Sequence, residues 1–455
     1  MSGLLDPQMG WLLGVVVSLI VGAVFAFWKS AELGLGVAVV VSLLFPDWLE
    51  YEFLGMPFSI RTTVAAISII TYAVRYPWRI KSPLIPLDFA VAALVIVHTA
   101  SDYYHGLGEL SALRAYGEWA LPYVCGRYAL RRNEYPVILG WFVCGAIILM
   151  SAAVIVEMSA SLIVELPTPI NVWDLIFGRP IQTIPRGVKR FGLVRAFGNS
   201  IHPIFFAMQL IVLLPWPIYL WRTVSSTPQK VVLCGTILIA FLGCIATVSR
   251  SPVLAFLAMP VVALAFSFTW ARIVTVAGIA VLAFFVMQNP VDFAKETAIA
   301  AGDVVNEIEI DGQMVPISSG MSRIWLYRVY WPSLRNGGML GHGSYATRKF
   351  PLEVPRMPRD PRTLDAFKWV DNAYLLIGLR FGWLGITALL VFLMTTVWTG
   401  LSLRTDRYWS VMAITSTSMF LITSFFLLTV WLSNDFGFEM IWMAGVLAGI
   451  RTEQT

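Results

Sequence analysis

The sequence predicts an all-α polytopic membrane protein, and three observations lead to this class. Hydrophobic residues make up 58% of the 455 residues, charged residues only 13%, and the mean hydropathy is +0.74. Soluble domains lie far from these values. Apolar runs of about 17 to 23 residues recur along the chain, long enough to cross a hydrocarbon core of roughly 30 Å. The runs lack the alternation of a transmembrane barrel, so helices are expected to satisfy their backbone in lipid.

Hydropathy divides the chain into a bundle of about 12 or 13 transmembrane helices. The predicted spans are 11–28, 31–46, 60–75, 86–101, 107–128, 136–157, 203–221, 230–248, 252–269, 272–289, 383–403, 408–430 and 437–450. Span 31–46 is short for a crossing. Span 107–128 contains Arg114, Glu118 and Arg127, which lipid tolerates only where they face protein or water.

Basic residues in the short connections predict the orientation of the bundle. Five such connections share one side if span 107–128 crosses the membrane: 75–81, 131–132, 222–230, 272 and 404–407. We assign that side, together with the C-terminus, to the cytoplasm. The segments left to face outward are 158–202, 249–251 and 289–370. The N-terminus is external if the larger count of spans holds and cytoplasmic if the smaller one does.

The segment 289–370 is one long polar interruption in an otherwise apolar chain. Short turns can join the helices of a bundle, so a connection of this length is expected to carry function. We see no internal repeat and predict a single membrane domain over 1–455, with outward loops at 158–202 and 289–370. The net charge of +5 is modest and argues against a nucleic-acid partner. The four cysteines lack metal-ligand spacing, and we expect neither a metal nor another cofactor.

Arginines cluster in the outward segments, against the positive-inside trend. Arg195 closes a cation-rich run before a predicted span, and Arg250 lies in a short turn between two apolar spans. Arg323 and Arg328 follow in the long loop, with Trp325 between them. The guanidinium fork suits bidentate binding of phosphate or carboxylate, and aromatic rings suit the C–H faces of sugars. The alternative is that these arginines contact lipid headgroups and that the aromatic residues form an interface belt.

Motifs in order along the chain resemble the O-antigen ligase and polysaccharide polymerase superfamily of bacterial inner-membrane glycosyltransferases. The first and second are Arg195–Pro203 (RAFGNSIHP) and Thr247–Ser251 (TVSRS). The third joins Ser319–Trp325 (SGMSRIW) to Gly341–Gly343 (GHG), and the fourth joins Asp371–Leu375 (DNAYL) to Gly382–Gly385 (GWLG). The resemblance covers about residues 190–400, and the N-terminal spans resemble the family by hydropathy alone.

The resemblance implies a metal-independent, inverting glycosyltransferase that uses a glycan carried on undecaprenyl pyrophosphate. Polymerases of this kind join repeat units to a growing lipid-linked chain, and ligases move the finished chain to lipid A-core. The implied location is the bacterial inner membrane, with an active site that faces the periplasm. The expected partners are the lipid-linked oligosaccharide donor, a glycan acceptor, the lipid bilayer and polysaccharide-assembly proteins.

By motif position, the resemblance also implies residue roles. Arg250 and Arg323 would hold the departing pyrophosphate, with Arg195 as a third ligand. Ligases of the family commonly have His-Asn where this chain has Asp371-Asn372, so a polymerase is favoured over a ligase. We predict that Asp371 is the general base or aligns the acceptor hydroxyl. The alternative is that Asp371 caps a helix that begins at Asn372.

The remaining candidates for substrate binding are His202, Trp325, Arg328, His342 and Asn372. The two histidines among them are alternative bases.

Two other functional classes stay open. A lipid-glycan flippase is expected to show two similar halves and only short loops, and this chain shows neither. A secondary transporter needs an ionisable pair or a broken helix near mid-bilayer. The best pairs, Arg114 with Glu118 and Asp435 with Glu439, lie near the ends of predicted spans. The sequence therefore favours the glycosyltransferase.

Overall fold

The computed structural model describes residues 4–53, 56–79, 83–108, 110–130, 135–164, 171–178, 189–190, 193–268, 306–310, 313–317, 322–347, 367, 370–433 and 435–454. The predicted span 272–289 and much of the segment 289–370 lie outside the described residues, as do the basic residues Arg131, Arg132 and Arg272.

Helices dominate the described chain. They are α1 (Pro7–Trp28), α2 (Ala31–Ser42), α3 (Ile60–Arg75), α4 (Pro86–Tyr104), α5 (Leu110–Ala115), α6 (Leu121–Leu130), α7 (Pro136–Val164), α8 (Val172–Phe177), α9 (Pro203–Leu213), α10 (Pro215–Thr223), α11 (Thr227–Ala246), α12 (Arg250–Ser267), α13 (Ser322–Gly337), α14 (Ala373–Ser402), α15 (Ser410–Phe426) and α16 (Phe436–Gln454). A π-helix at Tyr116–Ala120 joins α5 to α6, and 3-10 turns form at Pro77–Arg79 and Ser344–Thr347.

Three short antiparallel hairpins complete the described elements. Their strands are β1 (Glu50–Phe53) with β2 (Met56–Ser59), β3 (Lys189–Arg190) with β4 (Leu193–Val194), and β5 (Asn306–Ile310) with β6 (Gln313–Ile317). The last hairpin and α13 lie inside the long polar segment 289–370.

The predicted all-α polytopic membrane class is confirmed. Within the described residues, six helical segments are long and apolar enough to cross a membrane: α1, α7, α9 continued by α10, α11, α12 and α14. Helices α2 and α15 are apolar but shorter. The core is built from the buried faces of these helices, and α9 and α16 are covered over almost their whole surface.

The predicted span 107–128 is not a single helix. It consists of α5, the π-helix and α6, and its charged residues contact protein. Arg127 is buried, forms an ion pair with Asp88 and donates to Pro83 O at 2.7 Å. A charged residue in a membrane bundle is stabilised by such partners, and this is how the chain accommodates Arg127.

The predicted span 383–403 begins too late. Helix α14 starts at Ala373, and its backbone is interrupted at Gly382, where φ is 65° and ψ is −159°. Residues 373–381 therefore form a separate helical piece ahead of the span. Hydropathy does not reveal the interruption, because residues 373–381 are as apolar as the residues that follow Gly382.

Glycines bring α6 and α16 into backbone contact. A Cβ on Gly126 would lie 2.0 Å from Trp442 O, and a Cβ on Gly445 would lie 2.0 Å from Tyr123 O. Small residues four apart are a common device for close packing between membrane helices, and Gly445 with Gly449 has that spacing. Larger side chains at Gly126 and Gly445 would therefore force α6 and α16 apart.

The bundle has two ends with different composition. One end carries the motif Arg195–Pro203, and we call it the motif end. There, Asp47 N donates to Asn199 O, and the Phe205 ring lies 5.2 Å from that of Trp431. At the basic end, Gln454 contacts Asp406, and the Tyr219 ring lies 6.0 Å from that of Tyr408. The connections 224–226 and 404–409 thus lie at the basic end, as the positive charges predict.

Candidate active site at the motif end

Arg195 lies beside the turn that joins α11 to α12. Its Nη2 donates to Ser249 Oγ at 2.9 Å, and its Nε donates to Thr247 O at 3.3 Å. The backbone N–H of Ala196 donates to Ala246 O at 3.2 Å. The first and second motifs therefore meet, and Arg195 holds the turn from which α12 begins.

The backbone of this turn is strained. Val248 has a φ of 48° and is the one non-glycine residue with a positive φ in the described part of the chain. Such a conformation is unusual for a β-branched residue. It costs on the order of 1–3 kcal/mol and persists where the surroundings fix it. Ser249 Oγ, which donates to Thr247 O at 3.1 Å, and the Arg195 bonds supply this constraint, and they fix where Arg250 begins α12.

The glycine-rich segment Gly338–Gly343 fills the interruption of α14. Four backbone bonds of 2.8 to 3.2 Å run from His342 N to Leu379 O, Gly343 N to Arg380 O, Trp383 N to Gly338 O, and Leu384 N to Met339 O. They pair groups that a broken helix would otherwise leave without partners. A Cβ on Gly341 would lie 2.5 Å from the Gly382 N atom, so the contact requires glycine. The third and fourth motifs therefore interlock through their backbones.

The end of α4 clamps the same junction. Ser101 Oγ lies 2.6 Å from Leu340 O and 2.9 Å from Arg380 O, and its one hydroxyl proton is shared between the two carbonyls. His105 Nε2 lies 2.8 Å from Gly341 O. These two residues were not assigned a role from the sequence, because nothing in a single apolar helix indicates which carbonyls its end will meet.

Two hydroxyl residues that follow the glycines hold two arginines. Ser344 Oγ accepts from Arg114 Nη1 at 3.3 Å, and Thr347 Oγ1 accepts from Arg380 Nε at 2.5 Å. Ser344 is itself fixed, since its N and Oγ each donate to Asp102 at 2.7 Å. The GHG motif thus orients Arg114 and Arg380 rather than presenting its own side chains alone.

Asn372 caps α14. Its side chain accepts from Leu375 N at 2.8 Å, and its Nδ2 donates to Tyr327 Oη and Leu428 O, each at 2.7 Å. The suggestion that Asp371 caps a helix beginning at Asn372 is therefore wrong: the helix begins at Ala373, and an amide accepts the N3 bond as well as a carboxylate. Asp371 precedes the cap residue and is partly exposed.

Helix α13 places the aromatic and basic candidates of the long loop. Trp325 is partly buried against an apolar cluster that α13 shares with the first piece of α14, and the Arg328 Cζ lies 5.8 Å from its ring centroid. Arg323 belongs to the first turn of α13, and its side chain lies outside the described part. His342 lies further along, with Nε2 2.9 Å from Ser333 O. Tyr327, the partner of Asn372, precedes Ser333 by about 9 Å along the axis of α13. The His342 ring therefore contacts α13 at a different level from Asn372.

His202 is the N-cap of α9. Its Nδ1 accepts from Ile204 N at 3.2 Å, and Pro203 occupies the first helical position. With Nδ1 accepting, Nε2 carries the proton of the neutral ring. That arrangement gives His202 a structural role at the helix start, and its substrate-binding role stays a prediction.

A cavity of about 380 Å³ opens at the motif end. Its walls come from the β1–β2 hairpin and the start of α3, from α5 and the π-helix, from the first piece of α14, and from the start of α16. Its charged lining residues are Glu50, Arg114, Glu118 and Arg380. Within the described residues, no group of three histidine, cysteine or carboxylate side chains is arranged to hold a metal ion.

Buried charges lie next to this cavity. Arg61 is 1% exposed, and its Nη1 lies 3.9 Å from Glu439 Oε1. Asp47 and Asp435 complete the group, and Ser433, which lines the cavity, donates to Asp435. Burial, and next the Asp435 carboxylate, raises the pKa of Asp47 well above its usual range. Three carboxylates around one guanidinium make a protonated carboxyl the favourable state in this part of the fold.

The fold brings together some of the predicted residues. Arg195 and the turn before Arg250 are in contact, and Asn372 reaches the helix that carries Trp325 and Arg328. The pyrophosphate pair of Arg250 with Arg323 stays a prediction. Sequence reasoning did not include Arg114 and Arg380 in the site. A signal existed for both, because each is an arginine within an apolar stretch.

The geometry defines a polytopic membrane protein whose polar motifs are gathered at one end, with arginines fixed by backbone and hydroxyl partners. The family described as O-antigen ligase matches residues 235–390 of the chain, from α11 into α14. This match confirms the resemblance to the O-antigen ligase and polymerase superfamily, and it includes the positions of Arg250, Arg323 and Asp371. No curated protein matches the chain.

Proposed function

We propose that the protein is a metal-independent, inverting glycosyltransferase of the bacterial inner membrane with its active site at the periplasmic face. Its donor is a glycan linked to undecaprenyl pyrophosphate, and its acceptor is a sugar hydroxyl of a second glycan. A polysaccharide polymerase is favoured over an O-antigen ligase. The observation that carries the proposal is the contact of Arg195 with the turn before Arg250, a turn that lies within residues 235–390, which match the O-antigen ligase family.

The reaction exchanges one bond for another at the donor's anomeric carbon. The acceptor oxygen attacks from the face opposite the pyrophosphate, the new C–O bond forms, and the bond to the pyrophosphate oxygen breaks. The pyrophosphate leaves with the bonding electrons, and the acceptor's proton passes to a base. Arg250 and Arg323, with Arg195, would stabilise the charge that develops on the leaving group. Such stabilisation is stronger where water is excluded and the effective dielectric constant is low.

Asp371 is the proposed base or aligning group for the acceptor hydroxyl. Asp371 lies at the point where the chain enters α14, directly before the cap residue Asn372. A carboxylate with a reference pKa of about 3.9 is a weak base, so proton transfer is expected to be late, as the pyrophosphate departs. Arg328 and Trp325 from α13, with Asn372, His202 and His342, are the proposed substrate-binding residues.

The proposal is tested by the glycans that accumulate in cells carrying the wild-type gene, a deletion, or a site variant. Deletion of a polymerase leaves single repeat units on the carrier lipid or on the surface, whereas deletion of a ligase leaves long polymers that remain on the carrier lipid. We expect the first pattern. Arg250→Ala should reproduce the deletion with about 100-fold less product, and Arg250→Lys should restore part of it, because a point charge cannot make the paired contact.

Arg335 gives a matched control for Arg323. It is exposed near the other end of the same helix, so Arg335→Ala should leave the product unchanged while Arg323→Ala removes it. Protein levels in the membrane are measured for every variant. Full product from both Arg250→Ala and Arg323→Ala would assign these residues to headgroup contact instead, and long polymers on the carrier lipid would assign the ligase reaction.

A further inference from the structure

The cavity at the motif end has a chemical character of its own. Two arginines and two glutamates line it, together with the hydroxyls of Ser59, Thr62 and Ser433. Aromatic side chains complete the wall: Phe58, Trp119 and Phe438. At about 380 Å³ it falls in the range of small-molecule sites.

The charge balance of the lining points to a neutral ligand. Arg114 and Arg380 are opposed by Glu50 and Glu118, and the Glu118 side chain is 36% exposed. A polyanion such as pyrophosphate would meet two carboxylates in the same space, and like charges at short range repel. Hydroxyl groups avoid this conflict, since they donate to carboxylates and accept from guanidinium groups.

The arginines of the cavity are held before any ligand binds. Arg114 is fixed by Ser344 and lies 5.3 Å from the Tyr345 ring centroid, and Arg380 is fixed by Thr347. Both partners follow the GHG motif in the junction with α14. Donors that are already oriented bind with a smaller loss of side-chain entropy. A site built in this way is suited to selecting one arrangement of hydroxyls.

We propose that this cavity binds a neutral sugar residue of the acceptor glycan. The inference rests on the proposed glycosyltransferase function and adds the location and the charge class of the acceptor. The sugar's hydroxyls bind the two arginines and two glutamates, and its C–H face packs against the aromatic wall. The donor's pyrophosphate binds elsewhere, at Arg250 and Arg323 with Arg195.

Gly117 allows the cavity to be closed without removing a charged group. It lines the cavity from the π-helix, and a Cβ there would meet only Thr62 Cγ2 at 3.5 Å, an ordinary contact. Gly117→Phe should therefore fill the space with a ring. Gly145→Phe is the matched control, because a Cβ on Gly145 in α7 meets nothing within 4 Å and the residue does not line the cavity.

A second pair of variants changes charge alone. Glu50→Gln removes a carboxylate that lines the cavity, whereas Glu52→Gln removes an exposed carboxylate two residues further along β1 that does not. Loss of a bond between a hydroxyl and a charged group weakens binding by about tenfold. This pair remains informative if Gly117→Phe does not fold.

The experiment titrates purified protein in nanodiscs, by calorimetry, with oligosaccharides that mild acid releases from the producing cell's lipid-linked glycan. Wild type, Gly145→Phe, Glu52→Gln and Arg250→Ala should bind equally. Glu50→Gln should bind about tenfold more weakly, and Gly117→Phe should not bind. Transfer assays should show a raised KM for the acceptor in Glu50→Gln with the KM for the donor unchanged.

The outcomes separate the two proposals. Binding to Gly117→Phe and Glu50→Gln at wild-type strength, or no binding to wild type, would overturn the cavity assignment, even if transfer is observed. Saccharide binding that depends on the cavity, in a protein with no transfer activity, would instead contradict the proposed function. In that case the cavity would still be a saccharide site.

Discussion

Arg195 and Ser249 are 54 residues apart in the chain, and the guanidinium of one donates a 2.9 Å hydrogen bond to the hydroxyl of the other. Ser249 passes this constraint on, because its own hydroxyl donates to Thr247 O at 3.1 Å across Val248. The position of Arg250 thus depends on a residue from a separate motif.

Because of this dependence, we expect that the losses of transfer activity in two single variants do not add in the double variant. Arg195→Ala should lower transfer activity by at least about tenfold, since it removes two bonds made by a charged donor. Ser249→Ala should lower it less. The double variant should lose hardly more than Arg195→Ala, because both changes release the same turn. The measurement is a double-mutant cycle on product formed per unit of membrane protein. Losses that simply add would mean that Arg195 acts on the substrate independently of the turn.

Asp371 and Asn372 are neighbours, and we expect their substitutions to affect different properties, product formation for Asp371 and stability for Asn372. Asn372→Ala removes the cap of α14 and the bonds to Tyr327 and Leu428, so it should destabilise the protein by about 1 kcal/mol or more. Asp371→Asn leaves those bonds intact and should leave the melting temperature unchanged while product is lost. Thermal melts in detergent and glycan analysis are made on both variants. Normal product from Asp371→Asn would remove Asp371 from the mechanism and direct attention to His202 and His342.

Asp47 should make the protein less stable as pH rises. Its pKa in the fold is raised by burial and by Asp435, whereas an unfolded Asp has a pKa of about 3.9. The fold therefore binds its proton more tightly, and this contribution is fully present below about pH 4 and lost as pH rises through the raised pKa. Asp47→Asn should melt at a higher temperature than wild type at neutral pH and show a flatter pH dependence.

The control for this prediction is Glu52→Gln, which changes an exposed carboxylate. Its melting temperature should follow that of wild type at every pH. Other ionisable groups lie near Asp47, namely Glu50, Arg61, Asp435 and Glu439, so the pH dependence should be reduced by Asp47→Asn rather than abolished. An unchanged slope would show that Asp47 does not hold the proton.

The two ends of the bundle should differ in reagent access. In a Cys234→Ser background, which removes the one exposed native thiol of the described residues, an impermeant maleimide applied from the periplasm should label Glu52→Cys. It should not label Thr405→Cys, which lies at the basic end, until the membrane is opened. The reverse pattern would contradict the orientation and the outward active site together.

The class and most helices were predictable from the sequence because burial in lipid imposes a local hydropathy signal. Helix α3 was predicted with its observed bounds, since a charged or polar residue closes its apolar run at each end. The π-helix after α5 and the interruption at Gly382 were not predictable. Both depend on distant partners, and Gly382 in particular is accommodated by backbone atoms of Gly338 and Met339.

Site residues were predictable from the sequence where a motif's own side chains are charged. They were not predictable where the motif orients a charged side chain from another part of the chain. Arg195 and Arg250 were assigned to one site from their charge and position, and the fold places the Arg195 side chain on the turn before Arg250. The GHG motif was assigned through His342, yet the structure shows its glycines packed into a helix and its following hydroxyls on Arg114 and Arg380. Only the fold reveals such indirect contacts.

The interruption of α14 resets the helical phase between its two pieces. The direction in which Arg380 projects is fixed by the segment 338–343 and by Asn372, and it does not depend on the helical phase of the residues after Gly385. One residue inserted after Gly385 would rotate the rest of the helix by about 100° and leave Arg380 where it is. The same insertion between Asn372 and Leu379 would turn Arg380 away from the cavity. The piece after Gly382 takes its register from its own buried face, which includes Leu389 and Phe392, while the piece before Gly382 keeps Arg380 at the cavity.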